Sequence, residues 1–150
     1  MKYSTIKEVK VFCQSLDSQP DWREVVTMLA PCFVSGMVSD FEVDEVRFIN
    51  SNDIDSIMRD ELSSDEYILG CFNAGFLASV LDIDIEVIDA MQQAEAYEAI
   101  GKLVLSLGKL EELQHDYVMA DGYGHHFNHY DGGEEELSVC GTLYYVFDNH

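Results

Sequence analysis

The stretch from Ser64 to Leu81, SDEYILGCFNAGFLASVL, constrains this chain more than any other. No proline interrupts it, and almost every position past Glu66 is apolar or small. Ser64 stands where a helix cap belongs, and Asp65 and Glu66 follow where the positive end of a helix dipole favours carboxylates. Ile68, Phe72, Phe76 and Val80 recur every four residues as a bulky stripe, while Gly70, Ala74 and Ala78 recur on nearly the opposite side. A helix that is apolar on most faces must be buried, so the spacing predicts one central helix over 64–81 with the remaining elements packed around it. The run is shorter than the ~20 residues that span a bilayer, and no Lys or Arg flanks it, which argues against a membrane segment.

At 150 residues the chain is long enough for one domain, 1–150, to bury a substantial core without staples. Eight Lys and Arg face 29 Asp and Glu, a formal charge of -21, yet the hydrophobic content of 47% is that of a globular protein rather than of a disordered acidic tail. Such a surface repels phosphate backbones and anionic lipid headgroups, so direct nucleic-acid binding and membrane attachment are not expected. Cys13, Cys32, Cys71 and Cys140 are far apart and form no CxxC pair, the pattern of buried free thiols in a reducing cytosol. The opening MKYSTIKEVKVF has no long apolar core of the kind a signal peptide needs, so the expected location is cytoplasmic.

Thr5 with Glu8 matches a capping box and opens a helix to about Leu16; Asp21 with Glu24 repeats it and opens a second that stops before Pro31. VDEVRFI, from Val43 to Ile49, reads as an exposed strand at a sheet edge. Ile54, Ile57, Met58 and Leu62 predict a short third helix. After Leu81, Asp84 is placed to cap a helix with Ile85, Ile88 and Met91 on its buried face, continuing or rejoining near Ala94 and ending at a left-handed Gly108. KLEELQHDYVMA is again helical, and the segment from Asp121 predicts a hairpin that turns at Glu134 to Glu136 before TLYYVFD. The fold class is therefore α+β, mostly helical, with about five helices around the 64–81 helix and a small antiparallel sheet that includes a C-terminal hairpin.

Charge is the first functional signal. No Lys or Arg occurs between Arg59 and Lys102, or after Lys109, while carboxylates run through both regions. Glu86 with Asp89, and Glu95 with Glu98, lie three residues apart, which on a helix sets them about 5 to 6 Å from each other. That pitch resembles a nucleic-acid strand's, since duplex DNA carries roughly one charge per 1.7 Å of axis. Asp53, Asp55, Asp60 and Glu61 form a second acidic group. Like charges at such spacing repel and destabilise a helix, so an excess beyond solubility needs calls for a use.

The second signal is a late polar cluster: Glu112, His115, His125 and His129, with Asp116, Asp121, His126 and Asp131 nearby. Glu112 and His115 make one Glu-x-x-His, but the di-iron pattern needs a second copy, which the chain lacks. On a strand His125 and His129 stand roughly 13 Å apart, too far to share one ion. Asp82 to Glu86 lacks the central Gly and spaced Glu of a calcium loop. GxSxG, P-loop and GxGxxG motifs are absent from the chain, and carboxylate pairs are too abundant for any to be nominated as acid and base.

DGYGHHFNHYDGGEEE and YYVFDNH, which lie in the last fifth of the chain, resemble the tails of small acidic accessory proteins of bacteriophages and prophages. In size and acidity the chain is similar to DNA-mimic inhibitors of restriction or CRISPR systems, and that resemblance implies a host-defence target. The leading expectation is a non-enzymatic, cofactor-free binding protein that blocks a basic, nucleic-acid-handling partner through Glu86, Asp89, Glu95 and Glu98, with Asp53, Asp55, Asp60 and Glu61 as a second patch. The alternatives are a metal-dependent hydrolase using Glu112, His115, His125 and His129, and a structural or assembly factor, such as a homodimer joined through the aromatic hairpin of Tyr144, Tyr145 and Phe147.

Overall fold

The apolar stretch that dominates the sequence is not one helix. In the computed structural model, which describes residues 3–150, it is broken into α4 (Glu66–Gly70) and α5 (Ala74–Leu81). Two polar side chains make the break. Asn73 Oδ1 accepts from the amides of Gly75 and Phe76 and starts α5, while Gln92 Nε2 donates to the carbonyls of Gly70 and Phe72 and satisfies the end of α4. The cap of α4 is Asp65, which accepts from Ile68 N, and not Ser64. The bulky stripe is split accordingly: Val80 is buried, Phe72 and Phe76 are half-buried, and Ile68 is 46% exposed.

The class is α+β, mostly helical. Among the described residues there are α1 (Tyr3–Ser15), α2 (Trp22–Leu29), α3 (Ile54–Ser63), α4, α5, α6 (Ile85–Gln93), α7 (Tyr97–Ser106), α8 (Leu110–Asp121) and α9 (Gly124–Phe127), more helices than the five expected. One antiparallel sheet contains β1 (Asp40–Val43), β2 (Val46–Asn50), β3 (Glu135–Val139) and β4 (Thr142–Asp148) in the order β1-β2-β4-β3. Met1 and Lys2, which open the MKYSTIKEVKVF stretch, lie outside the described residues; α1 is already under way at Tyr3, so Thr5 is inside it rather than capping it. Contacts divide the chain into two compact units, one comprising the segment through Ile54 together with Asp121–His150, the other Asp55–Ala120.

In the first, the sheet unit, alternation along the strands fills both faces. Phe41, Val43, Val46, Phe48, Leu137, Val139, Tyr144 and Val146 meet Val9, Cys13 and Leu16 of α1 and Val25 and Leu29 of α2 in one core. Phe41 stacks on Phe48 with centroids 4.7 Å apart. On the other face Phe127 of α9 packs 5.2 Å from Phe147, and the Arg47 guanidinium lies 5.0 Å over the Phe127 ring. The residues from Val43 to Ile49, expected as one edge strand, are a hairpin: β1 is the edge and β2 pairs on both sides, with β1 and with β4. Its turn residues Asp44 and Glu45 have φ 50 and 66°, the positive values a two-residue primed turn requires. The C-terminal hairpin turns at Cys140 and Gly141, φ 50 and 82°, so Glu135 and Glu136 are strand residues and not the turn.

In the core of this unit the Tyr144 hydroxyl and the Cys32 thiol answer each other. Tyr144 hydroxyl donates to Val38 O at 2.7 Å and lies 3.2 Å from Cys32 Sγ; burial, and then the neighbouring thiol, raise its pKa. Burial, reinforced by Asp21, pushes the Cys13 thiol up to about 11. All four cysteines are free, but only Cys13 and Cys32 are buried; Cys71 and Cys140 are exposed.

In the second, the helical unit, α4 and α7 meet backbone to backbone. A Cβ at Gly70 would collide with the Tyr97 carbonyl, and one at Gly101 with the Glu66 carbonyl. The small-residue side of the apolar stretch therefore does admit a close neighbour, at Gly70. Leu62, Leu69, Leu77, Ile88, Ile100, Val104 and Leu113 are buried here. Among the described residues no helix is long and apolar enough to cross a membrane.

Candidate functional site: the acidic helix of the helical unit

Helices α5, α6 and α7 end in the same way. Ile83 N bonds Ala78 O, Ala96 N bonds Met91 O, and Lys109 N bonds Val104 O, each the long bond of a Schellman motif whose preceding residue has positive φ. Those residues are Asp82 (φ 55°), Glu95 (φ 58°) and Gly108 (φ 66°). Only the last has the side chain that suits the conformation. Asp and Glu occupy the other two at a cost of about 1 kcal/mol relative to glycine.

These two carboxylates bracket α6. Asp84 stands at its N-cap position, and Glu86 and Asp89 lie on the helix; all five acids from Asp82 to Glu95 are exposed. At ~1.5 Å rise per residue Glu86 and Asp89 on α6 stand about 5 Å apart along its axis, of the same order as the ~3.4 Å per charge of one nucleic-acid strand, while Asp82, Asp84 and Glu95 lie outside the helix. The helix dipole stabilises the acids at the N-terminal end, does nothing for Asp89 in mid-helix, and disfavours Glu95, which follows the C-cap. Glu86 and Asp89 share a helix as expected. Glu95 and Glu98 do not: Glu95 sits in the left-handed turn and Glu98 in the first turn of α7, so helical spacing does not relate them.

The basic residues of this unit are engaged elsewhere. Arg59 donates to Gln114 Oε1 at 3.2 Å, Lys109 pairs with Glu112 at 3.2 Å, and Lys102 stands 4.0 Å from Glu66. In the sheet unit Arg47 grips Asp40 through two bonds of 2.9 and 2.7 Å, and Lys10 and Arg23 lie 5.1 and 4.6 Å over the Trp22 ring. None of these pairs involves a carboxylate of α6.

Two apolar residues stand among the acids. Ile85 is 48% and Val87 49% exposed, although the 85, 88, 91 periodicity predicts Ile85 on the buried face. The reason is Gln92. Its amide reaches the carbonyls of α4, which turns the face carrying Ile88 and Gln92 inward and leaves Ile85 outside. No signal in the local sequence marks Gln92 for that contact.

The second acidic group is distributed differently. Asp53 is half-buried just before α3 and belongs to the sheet unit, whereas Asp55, Asp60 and Glu61 ride on α3. Asp55 accepts from Gln114 Nε2 at 2.8 Å, a structural bond to a buried amide, and Glu61 is half-buried and engaged.

Glu112 and His115 are exposed on α8. His125 lies on α9 and His129 in the turn after it, so they are not on the strand expected for them; the close approach of Gly124 to the Gly132 carbonyl and the bonds of Asn128 to Asp131 and Gly133 fold this segment into a helical turn and loop. His129 N donates to Asn149 Oδ1 at 2.7 Å. Among the described residues no group of three or more His, Cys, Asp or Glu side chains is placed to hold a metal ion. Neither family models, curated proteins nor solved structures provide a match to this chain.

Proposed function

We propose that this chain is a non-enzymatic binding protein whose α6 carboxylates take the place of nucleic-acid phosphates in the basic groove of a partner, as a phage-encoded inhibitor of a host nucleic-acid-handling defence system would. The observation that carries the reading is the row of five exposed acids from Asp82 to Glu95, two of them held at positive φ where glycine is cheaper. Ile85 and Val87 give the row an apolar centre, the composition of a protein-docking face rather than of a merely solvated helix. Carboxylates supply long-range attraction to Lys and Arg, and burial of the two aliphatics supplies contact energy that salt does not screen.

The test is capture of partners from a bacterial lysate by the wild type and by the double variant Glu86→Gln, Asp89→Asn. The wild type should retain a basic nucleic-acid-binding protein at about 50 mM salt and lose most of it by about 200 mM, with excess DNA competing. The double variant should retain at least about tenfold less. Capture indifferent to salt, to DNA and to the two substitutions would overturn the reading.

A further inference from the structure

In the sheet unit β3 is an edge strand, and beside it runs a groove of about 670 Å³ whose other wall is α1. We propose that this groove takes an extended, Lys- or Arg-bearing segment of a partner protein as a fifth strand of the sheet. The site is separate from α6 and does not depend on the reading of that helix.

The register decides which backbone groups are available. The two-residue turn at Cys140 and Gly141 makes Val139 and Thr142 a hydrogen-bonded pair, and alternation then makes Leu137 with Tyr144 and Glu135 with Val146 the next two. Glu136 and Ser138 therefore direct their amides and carbonyls away from β4, into the groove they line. A strand laid there gains these main-chain bonds, the mode in which peptides add to exposed sheet edges. Side chains on one face of the added strand would meet Val11, 57% exposed, and Phe12 of α1.

Charge selects the occupant. Glu134, Glu135 and Glu136 are exposed in succession along this edge, and Lys7 on α1 is the one cation lining the groove among the described residues. A second copy would bring two edges of the same negative charge together, and a nucleic acid is repelled outright. A basic segment with alternating aliphatic residues satisfies both the charge and the apolar wall. The same glutamates that bar self-pairing thus admit that partner.

The experiment uses the full chain and two capped nine-residue peptides of alternating Lys and Val, identical except that one is N-methylated at the amides that would pair with β3. The unmodified peptide should shift the amide resonances of Glu136 and Ser138 and slow exchange of Ser138 N–H, and the methylated one should bind at least about tenfold more weakly. Ser138→Pro, which removes only an outward-facing donor, should lose the peptide to the same extent while keeping its thermal midpoint; if that variant fails to fold, the peptide pair alone decides. Equal affinity of the two peptides, resonance shifts confined to α6, or a dimer whose Ser138 amide is protected without peptide would each overturn the proposal.

Discussion

The sheet unit and the helical unit solve the same problem, holding an acidic chain together, by different means. The sheet unit buries large rings, Phe41, Phe48, Tyr144 and Phe147, and spends its cations on internal contacts, Arg47 with Asp40 and Phe127, Lys10 and Arg23 with Trp22. The helical unit brings backbones into contact at Gly70 and Gly101, and around α6 it tolerates unneutralised acids in strained turns. Both regions display acids, at Glu134 to Glu136 on the sheet edge and in the positive-φ turn of Asp44 and Glu45, and at Asp82 to Glu95 around α6; what differs is that the acids around α6 stand beside the exposed aliphatics Ile85 and Val87. A displayed charge beside exposed apolar side chains is the better candidate for a function.

The largest effect expected is from Phe48→Ala, which empties a fully buried ring site and should destabilise the sheet unit by about 4 kcal/mol in chemical denaturation. Labelling of Cys13 and Cys32, both in that unit, should rise with it, while Cys71 and Cys140 react promptly in the native protein. Gly101→Ala probes the other unit. Its methyl meets the Glu66 carbonyl, a backbone atom that has no rotamer to escape into, and the cost should be about 3 kcal/mol, read from loss of helical circular dichroism. If Gly101→Ala is neutral, close backbone packing is not what holds the helices.

Asp82→Gly and Glu95→Gly should each stabilise by about 1 kcal/mol, because glycine relieves the positive φ and a repelling charge is removed, and both should weaken partner capture. Stabilisation without loss of capture would place the function elsewhere. The smallest effect concerns acid. Burial pushes the Asp148 carboxyl up, but hydrogen bonds from His150 and the Ser18 backbone amide outweigh it and hold the carboxyl below its ordinary 3.8. A carboxyl so lowered stabilises the fold above pH 3.8 and loses that contribution as pH falls through its folded value, so Asp148→Asn should flatten the acid limb of a stability-versus-pH curve.

Local signals carried much of this architecture. Asp21 caps α2 as its spacing with Glu24 predicts, α6 and α7 separate next to Ala94, Gly108 is left-handed, and Ile54, Met58 and Leu62 are the buried face of α3. The candidate site was legible in part: the acids of α6 stand exposed, but Glu95 reads as helical because glutamate carries no propensity signal for a left-handed turn. The hairpin at Asp44 and Glu45 was hidden for the same reason, since neither residue is the glycine or asparagine that marks a primed turn.

Composition and spacing alone settled what depends on neighbours in the chain: a mostly helical α+β protein, strongly acidic, with β structure around 43–49 and in a C-terminal hairpin. Tertiary structure decided what depends on distant partners. Gln92 supplies the amide that lets the apolar stretch break after Gly70, β2 finds β4 almost a hundred residues away, and Tyr144 finds the Val38 carbonyl that lets a hydroxyl be buried. A hydrogen bond across such separations is invisible to periodicity, because its energy comes from a partner that only the folded chain brings within reach.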